Sequence, residues 1–310
     1  MEINFPNLQS LNTGVSLAYN TAFWEAETVY KEYTYDATST GPDELYPRLD
    51  LIAGLREWLG ARVIERLSVS KFSITNRNFE KTIAIDRNDI ADDKYGLLAP
   101  AAQQLGQNAA HLPDLLITGL LQNGHTTPTY DGQNFFDTAH PTFDGSGSPT
   151  TVSNYQVAGG SDSNGAPWFL IDTSKVLRPL IWQTREPFRI VPMVALDNPY
   201  VFQNREFVWG VEGRCNAGYG LWHLAAMSTA PLTAAYYGAL RAQMAAVRRP
   251  DGTPMGVRPT ILVHGPSNKG AAVALANGDF ILSSGTSPTV AYQPNPWRGT
   301  FRPVENVWLT

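Results

Sequence analysis

The chain has 310 residues, 43% of them hydrophobic, which is enough to bury a core and build one large or two modest domains. Only 16% are charged, against about a quarter in an ordinary soluble domain, so the surface is thinly charged for a molecule that meets nothing but water. The net charge of −5 comes with no basic stripe of the kind that wraps nucleic acid, the 26 glycines and 22 prolines follow no fibrous period, and no window approaches the ~18 consecutive apolar residues of a membrane helix.

One cysteine, Cys215, permits no internal disulfide and fits a reducing compartment. The opening MEINFPNLQS lacks a basic region followed by an apolar run, so no secretory leader is expected. Residues 11–33 carry a helical pattern with Thr13 as its N-cap. Residues 34–48 are polar and broken by Gly41, Pro42 and Pro47, which reads as an extended arm without a core of its own. A second helix is expected over 54–67, where Leu55, Leu59, Val63 and Leu67 recur at helical spacing.

Over 68–90, Phe72 and Ile74, then Phe79, Ile83 and Ile85, alternate with polar residues around Asn76 and Asn78, the pattern of a β-hairpin. Two strands are marginal alone, so the hairpin is expected to project and pack on something else, with Phe79 and Ile83 facing a neighbour. Residues 97–123 predict one long kinked helix: Leu98, Ala102, Leu105, Ala109, Leu112, Leu116 and Leu120 form a stripe that runs through Pro113. Residues 124–167 read as long surface loops. The clearest strand is 207–221, with Phe207, Trp209, Val211, Cys215, Ala217, Tyr219 and Leu221 on one face. A helix over 231–247, a strand TILVHG, a short helix over 267–277 and one or two terminal strands complete an α+β chain.

Little of this points to chemistry. LVHGPSNKGAAVA (262–274) superficially offers a phosphate loop, but Lys269 precedes the second glycine, Ala271 stands where a hydroxyl should hold magnesium, and Pro266 removes an N–H. A strand-to-helix turn capped by Ser267 is the better reading. Asp131, Asp137, His140 and Asp144 match no metal-ligand spacing and suit turns. Asp86, Asp89, Asp92 and Asp93 miss the calcium-loop pattern and suit the positive end of a helix. Cys215 reads as a buried, inert thiol. The sequence assigns no catalytic, cofactor-binding or metal residue.

The runs LREWLGARVIERLS, FSITNRNFEKTIAIDRNDIADDKYG, YDGQNFFDTAHP, NREFVWGVEGRCNAGYGLW and RRPDGTPMGVRPTILV resemble, in order, the major head subunit of Mu-like phages, from about residue 8 to 305. The resemblance implies the Hong Kong 97 capsid fold of tailed phages. It divides the chain into an N-terminal arm with leading helices (1–67), an extended loop (68–92), a peripheral domain with a spine helix (93–227, spine 97–123) and an axial domain with terminal strands (228–310). It implies a non-enzymatic shell subunit of the virion, assembled in the host cytoplasm from hexamers and pentamers of itself. Portal, scaffold, maturation protease and a decoration protein are the implied partners. The shell encloses double-stranded DNA without reading its sequence, and no membrane is involved. Some relatives cross-link Lys to Asn; Lys71 and Lys81 stand in the relevant element, but nothing identifies an Asn partner. Protruding segments that bury little within one subunit should be ordered by contacts between subunits. The alternatives are a tail-tube or decorating protein, or a hydrolase holding a metal through Asp131, Asp137 and His140.

Overall fold

The computed structural model describes residues 2–47, 71–92, 98–160, 162–282 and 292–310. The helix expected over 54–67 lies outside them, as does Asp93. The chain opens with helix α1 (Phe5–Glu25), which begins earlier than the pattern from residue 11 suggests. Asn4 and Pro6 are the stronger start signal: the Asn4 side chain accepts the Asn7 N–H at 3.0 Å, and Pro6 fills the first turn, where its missing N–H costs nothing. Thr13, the expected cap, sits mid-helix with its hydroxyl donating to the Gln9 carbonyl. The helix also ends sooner, and a 3₁₀ turn (Tyr30–Glu32) leads into strand β1 (Thr34–Thr38).

The arm and the hairpin both need correction. β1 pairs in parallel with the subunit's own β9 (Leu180–Met193), and β2 (Asp43–Pro47) pairs antiparallel with β3 (Lys71–Thr75). Strand β4 (Arg77–Asp86) does not pair with β3; it runs antiparallel along β10 (Glu206–Tyr219), Asp86 facing Glu206 and Arg77 facing Cys215. The chain passes between β3 and β4 at Asn76 without folding back, because the Asn76 amide is tied to Ser39 and Gln183 rather than spent on a turn. Phe79 and Ile83 are half-buried against this subunit's own core clusters. Alternation shows which residues are strands, but not which distant strand each will meet. The described strands β1, β2, β3 and β4 are thus hydrogen-bonded within the subunit.

Asp86 caps the short helix α2 (Arg87–Ala91), its carboxylate accepting the Asn88 N–H. Helix α3 (Leu98–Asn123) is a single helix with Pro113 inside it. Its buried stripe follows Leu98, Ala102, Leu105 and Ala109 as expected, then continues through Pro113, Ile117 and Leu121 instead of Leu112, Leu116 and Leu120, which are half-buried. A straight helix drifts against a seven-residue repeat, and steps of four keep the buried face on the sheet. At Gly106 a Cβ would overlap the Tyr19 carbonyl, so α1 and α3 approach backbone to backbone.

Residues 124–167 are less loop-like than their composition. They hold the hairpin β5 (His140–Phe143) and β6 (Pro149–Val152) and the short β7 (Tyr155–Gln156), and they send Phe135 and Phe136 fully into the core. Next come β8 (Trp168–Ile171), α4 (Pro199–Asn204), β11 (Ala225–Ser228) and α5 (Ala234–Ala245), the last capped by Thr233 rather than starting at Pro231. Strand β12 (Ile261–His264), α6 (Lys269–Asn277), β13 (Phe280–Leu282), β14 (Tyr292–Pro294) and β15 (Arg302–Glu305) complete the described elements.

Two sheets organise them. One has the order β1-β9-β10-β4 and is covered by α1 and α3, with Leu8, Val15, Ala102, Phe207 and Trp209 in the interface. A register irregularity in β9 at Pro187 and Phe188 bends this ladder, where proline removes a ladder N–H. The other sheet has the order β15-β12-β8-β11-β7. Its β8 is buried on both faces: Phe169 and Ile171 join the core shared with α3 and the first sheet, and Trp168 and Leu170 join the core under α5 and α6. The expected division at 227/228 cuts through this second sheet, since β7, β8 and part of β11 precede it while β12 and β15 follow.

Candidate functional site

The phosphate-loop reading of 262–274 fails on geometry as well as on motif. Lys269 forms an ion pair with Glu305 at 2.6 Å, and the backbone at Gly265 is covered by the C-terminal segment, where a Cβ would overlap the Leu309 carbonyl. Ser267 does not cap α6. Asn268 holds that position without a side-chain cap, and its amide donates to the Ala166 carbonyl at 3.0 Å.

Of the four residues weighed around 131–144, the structure brings two together. His140 Nδ1 lies 2.7 Å from Asp131 Oδ2, and the two side chains are 0% and 2% exposed. The imidazole lies flat on the Trp222 ring, centroids 3.9 Å apart and planes 8° from parallel. Asp137 instead accepts the Thr138 and Ala139 N–H groups, while its own N–H donates to Asn154 Oδ1. Asp144 accepts from Ser146 and Ser148, and those hydrogen bonds, the Ser146 hydroxyl first, hold its carboxyl below the usual range. These carboxylates hold turns. Among the described residues no group of three or more His, Cys, Asp and Glu side chains is placed to hold a metal ion. Cys215 is fully buried on the β10 face, and burial pushes its thiol up to about 12.

What the interior does hold is a set of polar latches that patterning did not reveal. Asp114, 1% exposed, accepts the Tyr30 N–H at 2.7 Å and the Val29 N–H at 3.1 Å, fixing the turn after α1 onto the spine of α3. Burial holds its carboxyl above the ordinary range, partly offset by those two N–H donors. Gln183, also fully buried, accepts from the Tyr46 hydroxyl at 2.9 Å and donates to Asn76 Oδ1 at 2.8 Å and to the Ile74 carbonyl at 3.1 Å. The rings of Tyr46, Phe72 and Tyr130 stack in series beside it, at 5.4 and 5.8 Å. The β2–β3 pair is therefore rooted in the body by both polar and aromatic contacts. Asn306 ties the last segment down by donating to the Tyr33 hydroxyl and to Thr118 Oγ1. The only hint of these roles in the sequence is an amide or acid amid apolar neighbours.

Among the described residues, the Asp131–His140 pair is sealed and the other candidate carboxylates hold turns. The family described as Mu-like prophage major head subunit gpT matches residues 8–309. The chain belongs to that family. Among the curated members of the Mu-like head subunit group, the major capsid protein of Escherichia phage Mu is 33% identical over 91% of this chain and 92% of its own length. The Mu-like prophage FluMu major head subunit of Haemophilus influenzae is 31% identical over 90% and 92%. Among solved structures, a chain of the procapsid of bacteriophage JBD30 superposes with a TM-score of 0.79 at 34% identity, over 99% of this chain and all of that one. The JBD30 capsid chain gives 0.76 at 24% identity, over 92% of each chain. This head subunit is a major capsid protein with the tailed-phage capsid fold, and its α+β arrangement is the one expected of it.

Proposed function

We propose that this chain tiles, as hexamers and pentamers of itself, the closed shell of a Mu-like phage head, and that the shell encloses double-stranded DNA without sequence-specific contact. The superposition on the JBD30 procapsid chain along nearly the whole length carries the reading. An acidic net charge supports it, because a like-charged container does not trap its cargo. In this reading the peripheral unit is the four-stranded sheet with α1 and α3, and the axial unit is the five-stranded sheet with α5 and α6. The β2–β3 pair, rather than a β3–β4 hairpin, marks the base of the extended loop.

The chain acts as a building block and not as an enzyme. The Asp131–His140 pair, which most resembles catalytic machinery, is closed to any substrate. Subunits gather in the host cytoplasm and end in the virion, with a portal, a scaffold and a maturation protease as assembly partners. One JBD30 capsid structure is decorated with minor capsid protein trimers, and we extend that kind of partner to this shell. Sedimentation velocity over a concentration series tests the reading. Exchange between subunits and shell-sized particles, with little between, is expected; a persistent 34.0 kDa species at every concentration would overturn it.

A further inference from the structure

Helices α1 and α3 form one layer over the four-stranded sheet, since Leu8, Val15 and Tyr19 of one and Leu98, Ala102 and Leu105 of the other pack onto it. The outward sides of both helices therefore face away from the sheet, in the same direction. That outer surface is unusual for a solvated one. The 21 residues of α1 carry a single formal charge, Glu25, and the 26 of α3 carry a single one, Asp114, which is buried. A helix face that meets only water normally carries charges opposite its apolar stripe. Here the outward positions include Leu17 and Trp24, 66% and 78% exposed, set among hydroxyls and amides such as Thr13, Gln103 and Gln107. Trp24 also borders a groove of about 240 Å³ between α1, α3 and β9, with Phe23, Pro113 and Trp182 in its wall.

We propose that this charge-poor two-helix face, whose one exposed helix charge is Glu25 at its end, is a contact with a second copy of this chain, anchored by Trp24 and Leu17. Charge selects the partner. Nucleic acid and anionic membrane surfaces require Lys or Arg, and neither helix has one. A partner of opposite charge is met by a charged face. Two copies that each carry −5 bring few like charges together where the surface holds few. Area agrees. At about 1.5 Å per residue and about 10 Å width, the two helices present roughly 700 Å² per copy. The pair would bury roughly 1,400 Å², within the range of a specific interface. A contact of that size suits one of several between copies in a tiled shell. The inference rests on the shell reading above.

The test uses full-length chain in an assembly assay followed by light scattering. Leu17→Glu with Trp24→Glu should leave the unfolding midpoint of the dispersed subunit unchanged and raise the concentration needed for assembly at least about tenfold, since charges would be buried face to face. Independently, Leu17→Cys carries a benzophenone maleimide in a mixture of isotopically heavy and light subunits; Cys215, being buried, is not labelled. Heavy–light adducts in shells but not in dispersed subunits are expected. Assembly of the double variant at the normal concentration, adducts confined to one copy, or adducts to a different protein would overturn the proposal. If the unmodified chain forms no shells in the same assay, the shell reading fails first.

Discussion

Replacing Asp114 by Ala removes the acceptor that holds the turn after α1 to the spine helix. Two N–H donors lose their partner, one buried (Tyr30) and one half-buried (Val29). An unsatisfied buried donor costs about 1–3 kcal/mol, so the pair is worth roughly 2–5 kcal/mol. The variant also escapes the cost of burying a carboxylate, which brings the expected net loss to about 2–3 kcal/mol. With a urea slope of about 3 kcal/mol per molar, the unfolding midpoint of dispersed subunits should fall by about 1 M.

A pH series separates the acceptor from the charge. Burial raises the Asp114 pKa above its unfolded value, so this group's contribution to stability is fully present below the unfolded pKa and is lost as pH rises through the higher folded value. Asp114→Asn should flatten that decline just above the ordinary carboxylate range while keeping one acceptor oxygen. A midpoint shift under about 0.2 M for Asp114→Ala, with no change in pH slope for Asp114→Asn, would refute the latch.

Gly265→Ala should detach the C-terminal segment, because its Cβ meets the Leu309 carbonyl; faster limited proteolysis after residue 300 would show it. Gln183→Leu leaves the Tyr46 hydroxyl and the Asn76 amide short of partners and should cost about 2–3 kcal/mol, read by urea titration. Lys269→Ala removes only a surface ion pair and should change stability by less than about 1 kcal/mol in the same titration. With its pKa pushed to about 12, Cys215 should resist a thiol reagent at pH 8 and react only as fast as the chain opens.

The long periodic elements were legible. β10 shows its buried face residue by residue from Phe207 to Ala217, and α3 runs through Pro113 as expected. Pairing between distant segments was not. TYDAT joins Leu180–Thr184, and β4 joins β10, through hydrogen bonds that no local alternation encodes. Asn76 looks like a turn residue by type, yet it serves a buried network 107 residues away in sequence. Phe135 and Phe136 were hidden by the aspartate, glycine, glutamine and asparagine around them. For the site, Asp131 and His140 stood out only beside Asp137 and Asp144 as candidate ligands; their pairing and closure beneath Trp222 depend on packing. The low overall charge hinted at a charge-poor surface, but assigning it to the outer side of α1 and α3 required knowing which sides they bury.

Electron micrographs of the full-length chain, expressed with the head proteins of its own phage, test the account most directly. Closed shells of uniform diameter, with this chain resolved in rings of six and five, are the expected outcome. Open tubes, stacked rings, or dispersed single subunits at high concentration would contradict it.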